Sequence, residues 1–181
     1  MIAPELLRTP RLLLRKPRPD DAPLMFAAYA RDPAVTRYLI WQPHPDISET
    51  HRVIEHFLTQ WSAGTAFTWL LFERATNELV GSIGARTKED GFDLGYLLAQ
   101  RWWGQGLMQE AIQAVTEWAF TVPWVSRVSA ACDVENRGSA RVLEKSGFRR
   151  ERLEERYSVH PNISAEPRDC YLYTRIRDGS Q

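Results

Sequence analysis

The chain has 181 residues, of which 44% are apolar and 25% charged, the composition of an ordinary folded domain. Its 23 Lys and Arg balance 23 Asp and Glu, which argues against a nucleic-acid partner held by a strong positive field. The basic set is uneven, with three lysines (Lys16, Lys88, Lys145) and twenty arginines, and a guanidinium fork suits phosphate and carboxylate where lysine offers a point charge. The length fits one domain, 1–181, with a core over about 9–177. No apolar run approaches the roughly 18 residues of a membrane span. The N-terminal stretch carries charges throughout and does not read as a signal peptide. A cytoplasmic protein with no membrane partner is expected. Cys132 and Cys170 lie in apolar runs without zinc or redox spacing and read as small buried hydrophobes. His44, His51, His56 and His160 show no metal-ligand spacing, and no metal is expected.

Residues 11–15 read as a first strand. Asp20 and Asp21 followed by Pro23 start a helix with Leu24, Met25 and Ala28 on its apolar side, and Arg31-Asp32-Pro33 ends it. Asp46 with Glu49 is a capping-box pattern. It opens a helix in which Ile54, Phe57, Leu58 and Trp61 recur at helical spacing up to Gly64. Residues 66–73, 79–86 and 92–98 read as three consecutive antiparallel strands, with turns at Asn77 and Asp90-Gly91. A helix runs from Gly106 to Pro123 with a broad apolar face. Residues 127–134 form a strand, and a helix after Asn136 closes at Gly147. Residues 148–159 and 170–176 are the last strand candidates. The order predicts an α+β domain with one mixed sheet.

The stretch LGYLLAQRWWGQGLMQEAI carries the clearest chemistry. A strand ends near Leu98 and a helix starts directly after Gly104, Gln105 and Gly106. Two glycines one residue apart let backbone N–H groups approach a ligand. The helix start adds unpaired donors and the positive end of its dipole. This is a cradle for phosphate or pyrophosphate, or a tight strand-to-helix turn that needs glycine for geometry alone. No Gly-Lys-Ser/Thr follows, as a Walker loop requires, and Gln109 stands where a dinucleotide fingerprint needs a third small residue.

Arg101-x-x-Gly104-x-Gly106 resembles the acyl-CoA signature of the GNAT N-acetyltransferases. Asn136-x-x-Ser139 followed by Val142, Leu143, Glu144, Lys145, Ser146, Gly147 and Phe148 is similar to a block of the ribosomal-protein N-terminal (RimJ/RimL-like) branch. So are the opening TPRLLLRKPRPDDAPLMFAAYARDPAVTRYL and the closing RDCYLYTRI. The resemblance implies a single-domain α/β/α sandwich whose mostly antiparallel mixed sheet splays between its fourth and fifth strands, with acetyl-CoA in the splay. It places the pyrophosphate on the backbone of Trp103, Gly104, Gln105, Gly106 and Leu107, with Arg101 beside it. It assigns the pantetheine arm to Leu97, Leu98 and Asn136, and to Arg137 and Arg141 the adenosine-phosphate end. The implied activity is acetyl transfer to a primary amine, at a protein N-terminus or on a small molecule, by a monomer or homodimer.

Direct transfer needs a base for the acceptor amine, an N–H donor for the thioester oxygen and a proton for the leaving sulfur. Many family members place a tyrosine seven residues after the pantetheine asparagine. Here that position is Leu143, and Ser139 is nominated as proton donor or sulfur-side partner. Leu143 also keeps open a non-catalytic acyl-CoA-binding domain. Candidate bases are Glu154, Glu155 and Asp93, then Glu135 and His160. Tyr38, Trp41, Tyr171 and Tyr173 are candidate acceptor-side residues, and the loops 36–46 and 158–167 are the expected seat of acceptor choice.

Overall fold

In a computed structural model, which describes residues 3–177 and Gly179, the first predicted strand is half of a hairpin. β1 (Leu6–Arg8) pairs antiparallel with β2 (Leu12–Arg15). Leu12 and Leu14 are wholly buried and alternate with half-buried neighbours, the pattern of a strand with one covered face. The short β1 carries too little pattern to be read from sequence. β3 (Ala66–Glu73), β4 (Leu79–Thr87) and β5 (Gly91–Leu98) extend the sheet antiparallel as predicted. Asn77 adopts φ 57° in the turn between β3 and β4. β6 (Arg127–Asp133) joins β5 in parallel. β8 (Pro167–Ile176) inserts between β6 and the edge strand β7 (Arg149–Val159), giving the order β1-β2-β3-β4-β5-β6-β8-β7.

The helices divide between the two faces. α4 (Leu107–Thr121) buries Leu107, Met108, Ala111, Ile112, Val115 and Ala119 against one face, and α5 (Arg137–Lys145) adds Leu143. The opposite face is covered by α1 (Ala22–Met25), a π-helical turn (Phe26–Ala30), α2 (Pro33–Thr36) and α3 (Ile47–Ala63). The expected first helix is broken into these pieces. Its buried set is Ala22, Met25, Tyr29 and Ala30, while Leu24 is 48% exposed. Asp32 does end that helix, but it also caps α2 by accepting the Ala34 N–H at 2.8 Å. Asp46 caps α3 through the Ser48 N–H, whereas Glu49 turns to Arg52 and does not complete the box. Gly64 ends α3 at φ 70°.

The expected splay is present. Counted with β1 it lies between β5 and β6. Their pairing runs from Gly91↔Arg127 to Leu94↔Ala130 and stops. Beyond it β5 continues to Leu98 on β4 alone, and β6 continues to Asp133 on β8 alone. Gly91 makes the apex of the gap possible, because a Cβ there would lie 1.7 Å from the Arg127 carbonyl oxygen. Gly91→Ala must push β5 and β6 apart at the apex. A loss of about 2 kcal/mol is expected, read as a fall in Tm of about 4–8 °C by calorimetry.

Candidate active site

The register of β5 decides which of its groups face the gap. The Lys88 N–H bonds the Gly91 carbonyl and the Ala99 N–H bonds the Val80 carbonyl, and pairing between these points is unbroken. The odd-numbered residues of β5 therefore turn their backbone groups to β4, and Phe92, Leu94, Tyr96 and Leu98 turn theirs toward β6. Leu97, expected to bond the pantetheine arm, has its backbone spent on β4. The Tyr96 backbone faces the gap instead. Leu98 does face the gap, but its carbonyl accepts the Trp103 indole N–H at 2.8 Å. The Tyr96 N–H and carbonyl and the Leu98 N–H remain as an edge on which an extended chain can pair.

Side chains alternate the other way. Phe92, Leu94, Tyr96 and Leu98 point to the α4/α5 face, so Asp93, Gly95 and Leu97 point to the α1–α3 face. Tyr96 reaches across the gap to α5, its hydroxyl 2.8 Å from Ser139 Oγ. Burial pushes the Tyr96 phenol far above its ordinary value, against the opposing effect of the Ser139 hydrogen bond, so it stays protonated. Asn136 caps α5, its Oδ1 accepting the Ser139 N–H at 3.1 Å, which leaves its side-chain N–H₂ outside the cap. Burial raises the Cys132 thiol to about 11 and the Cys170 thiol to about 12. Neither is a thiolate at neutral pH.

The glycine loop follows β5. Gly104 and Gly106 adopt φ 75° and 77°, where L side chains are strained. Among the described residues, the N–H groups of Gly104, Gln105 and Gly106 have no protein acceptor. Trp103 differs from the expectation, since its N–H is taken by the Gln100 carbonyl at 3.1 Å. Arg101 pairs outward with Glu78 at 2.9 Å, and only its carbonyl braces the loop, accepting from the Gln105 side chain. Leu107, whose side chain is buried in the core, starts α4. Free donors beside a helix start fit a pyrophosphate. Arg137 and Arg141 lie exposed on α5.

On the other face, Asp93 accepts from Ser129 Oγ at 3.2 Å and lies 3.3 Å from Arg86. Gly95 is exposed, and a Cβ added there would meet nothing within 4 Å. The two expected acceptor loops meet here. Asn162 donates to the carbonyls of Thr36 and Trp41, both at 2.7 Å, and the Tyr38 hydroxyl lies 3.5 Å from the Glu135 carbonyl. Asp133 is the hub beneath them, with a side chain 0% exposed. It accepts from Arg168 Nε at 2.6 Å and Nη2 at 3.2 Å, from the Glu135 N–H at 2.9 Å, and bonds His160 Nδ1 at 3.0 Å. Burial alone would raise this carboxyl, but those hydrogen bonds outweigh it and hold it below the usual range. Glu135 pairs with Arg168 at 2.9 Å.

Other candidates fall elsewhere. Tyr173 is 1% exposed beneath α5 and donates to Glu144 at 3.0 Å. Tyr171 shares that face under Arg150. Both turn away from the acceptor loops, because Ala130 and Cys132 opposite them face the α4/α5 side. Glu154 is paired to Arg152, and Glu155 is exposed in a bulge where Arg156 takes φ 51°. Trp41 stacks obliquely on His44 at 4.9 Å. Sequence reasoning passed over Tyr96. The signal was present, since an aromatic residue two before Leu98 must share its face on a strand.

A parting of parallel strands with a free backbone edge, a donor-rich loop at its mouth and no reactive thiol is the architecture of an enzyme that passes an acyl group directly from acyl-CoA to an acceptor. A profile of the acetyltransferase (GNAT) domain matches residues 11–149, and the chain belongs to that family. It is 31% identical to the uncharacterized N-acetyltransferase p20 of Bacillus licheniformis over 96% of this chain and 97% of the relative. It is 29% identical to the [ribosomal protein uS5]-alanine N-acetyltransferase of Escherichia coli, over 80% of this chain and 78% of that one. A solved structure of RimL, a ribosomal L7/L12 α-N-protein acetyltransferase, in complex with coenzyme A superposes with a TM-score of 0.86 at 22% identity, covering 97% of this chain and 100% of the other. The protein is an acetyl-CoA-dependent N-acetyltransferase of the GNAT family, and the non-catalytic alternative is not favoured.

Two outcomes follow from the site's geometry. Gly104→Glu imposes a side chain at positive φ and a negative charge on the cradle. CoA affinity should vanish in calorimetric titration while the circular dichroism spectrum is kept. Asp133→Asn should lower stability by about 2 kcal/mol at pH 7. The folded carboxyl titrates below its unfolded value, so its stabilisation is present above about pH 4 and is lost as pH falls through the lowered value. The Tm difference between wild type and variant should therefore narrow in acid.

Proposed function

We propose that the acceptor is the α-amino group of a polypeptide chain. One observation supports this most: the alternation of β5 sets an acid side and a base side on opposite faces of one gap. Tyr96 and Ser139 stand on the α4/α5 face, and Asp93 with the bare surface of Gly95 stands on the α1–α3 face. That second face is open. Gly95 is exposed, Tyr157 beside Asp93 is 50% exposed, and Ile40 on the loop 36–46 is 68% exposed. Tyr157 stands near enough to Asp93 that its charge, after burial, helps to raise the phenol. An exposed backbone surface flanked by apolar side chains suits an extended chain better than a polycation. The kinship with the uS5-alanine enzyme supports the same acceptor class.

Bound acetyl-CoA supplies an acetyl thioester with a thiol leaving group. An α-amino group has a pKa of about 7.7–8.0 and is partly neutral at pH 7, unlike a lysine near 10.4. Asp93 takes its proton, directly or through one water, as the N–C bond forms and the C–S bond breaks. The Tyr96 and Leu98 N–H groups are the donors the gap offers to the thioester oxygen. Tyr96 stays protonated and donates to Ser139 Oγ, which frees the Ser139 proton for the departing sulfur. The tyrosine missing at Leu143, a residue 0% exposed in the core, is thus supplied from the facing strand.

The reading predicts thiol release with short peptides bearing a free N-terminal alanine or serine. None is expected with N-blocked lysine peptides or polyamines, and transfer confined to lysine or polyamines would refute it. Asp93→Asn should lower kcat about a hundredfold or more at pH 7. Tyr96→Phe should lower kcat about tenfold with the KM for acetyl-CoA unchanged. Its defect should shrink with acetyl thioesters of more acidic thiols, which leave without a proton.

A further inference from the structure

Arg11 takes no part in the steps above, yet its side chain joins the backbone of the cofactor loop to the first turn of α4. It sits in the turn between β1 and β2, inside the Thr-Pro-Arg-Leu run that opens the family resemblance. Its Nη1 donates to the Gln105 carbonyl at 2.9 Å, across a separation of 94 residues. Its Nε and backbone N–H donate to the two carboxylate oxygens of Glu110, each at 2.8 Å, and the Thr9 hydroxyl donates to the same group. Glu110 lies in the first turn of α4. The turn that carries Arg11 is itself fixed, because Arg74 donates to the Thr9 carbonyl at 2.8 Å and the Leu12 N–H to Thr9 Oγ1 at 2.9 Å.

The consequence is one of peptide geometry. A planar trans peptide points its carbonyl and its N–H in opposite directions. With the Gln105 carbonyl held on the Arg11 side, the N–H of Gly106 must point away from Arg11. Gly106 has little conformational restraint of its own, and a Cβ there would lie 3.5 Å from Arg11 Nη2. The peptide unit between Gln105 and Gly106 therefore takes its direction from Arg11. A lysine cannot reproduce this, because the two bonds need a fork that reaches Glu110 and Gln105 together.

We propose that Arg11 is a positioning residue for the cofactor. Through the Gln105 carbonyl and Glu110 it orients the loop so that the Gly106 N–H is presented to the pyrophosphate of acetyl-CoA. Preorganising a donor in this way removes an ordering cost from binding. The inference rests on the reading of Gly104–Gly106 as the pyrophosphate cradle.

Steady-state kinetics of Arg11→Ala and Arg11→Lys with acetyl-CoA and with S-acetylpantetheine, which has no pyrophosphate, test it. Arg11→Ala should raise the KM for acetyl-CoA about tenfold, with kcat near the wild-type value and kcat/KM for S-acetylpantetheine unchanged. Arg11→Lys should resemble Arg11→Ala. Equal losses with both substrates would mean a general structural role and would overturn the proposal. So would an unchanged KM for acetyl-CoA, or full recovery with lysine, which would indicate simple charge attraction. Gly104→Glu, measured alongside, separates the two levels. If it keeps CoA affinity, the cradle reading itself fails. If it abolishes affinity while Arg11→Ala is silent, only the role of Arg11 fails.

Discussion

Everything functional in this protein depends on two parallel strands that begin paired and then separate. A parallel pair inside a covered sheet normally continues until one strand ends, because every unpaired N–H and C=O left in the interior costs free energy. Here β5 and β6 stop pairing after Leu94 and Ala130 and both run on. The cost is limited because each keeps its outer partner, β4 or β8, so only inward-facing groups are left open. Those groups form a free backbone edge along the gap. The close approach of Gly91 to Arg127 holds the apex shut, and the Tyr96–Ser139 bond spans the open part. The gap is thus a built feature with a fixed vertex and a polar bridge.

β5 also does the chemical sorting. A strand's period of two places alternate side chains on opposite faces and alternate backbone groups on opposite edges. One eight-residue segment therefore places the Tyr96 phenol on one face, the Asp93 carboxylate and the bare patch of Gly95 on the other, and the free N–H groups along the gap, with no loop involved. Sites on regular elements hold their geometry better than sites on loops. The acceptor loops, by contrast, are held from outside. Asn162 ties one to the other, and the Asp133 hub ties the second to β6 and β8.

Local chemistry was legible in the sequence where it is local in space. The glycine pair before a helix, the helix start at Asp46, and the strands at 66–73 and 79–86 follow from short-range rules and stand close to where they were read. What sequence reasoning misassigned depends on register or on distant partners. Leu97 rather than Tyr96 was set on the gap because sequence does not reveal which edge of a strand is paired. Tyr171 and Tyr173 were set on the acceptor side because their face is fixed by pairing with β6. The charged run over 149–159 hid its bulge, which is stabilised by the Arg156 N–H donating to Asp169 at 2.9 Å from another strand. The bracing of the cofactor loop by Arg11 could not be seen along the chain at all.

The excess of arginine over lysine acquires a physical reading from these contacts. Phosphate binding by backbone donors needs no strong positive field, which fits a net charge of zero. Several arginines act instead as two-pronged connectors. Arg15 grips both oxygens of Asp21 at 2.6 and 2.8 Å, behind α1. Arg168 grips Asp133, Arg74 binds the Thr9 and Pro10 carbonyls, and Arg11 links Glu110 to Gln105. Each joins segments distant in sequence through groups a single ammonium could not span with the same geometry. Because most of these forks end on a carboxylate, the arginines and acids that fix the turns cancel in charge. The balance that first served only to exclude a strongly basic protein is therefore also the expected result of building rigidity from guanidinium–carboxylate pairs.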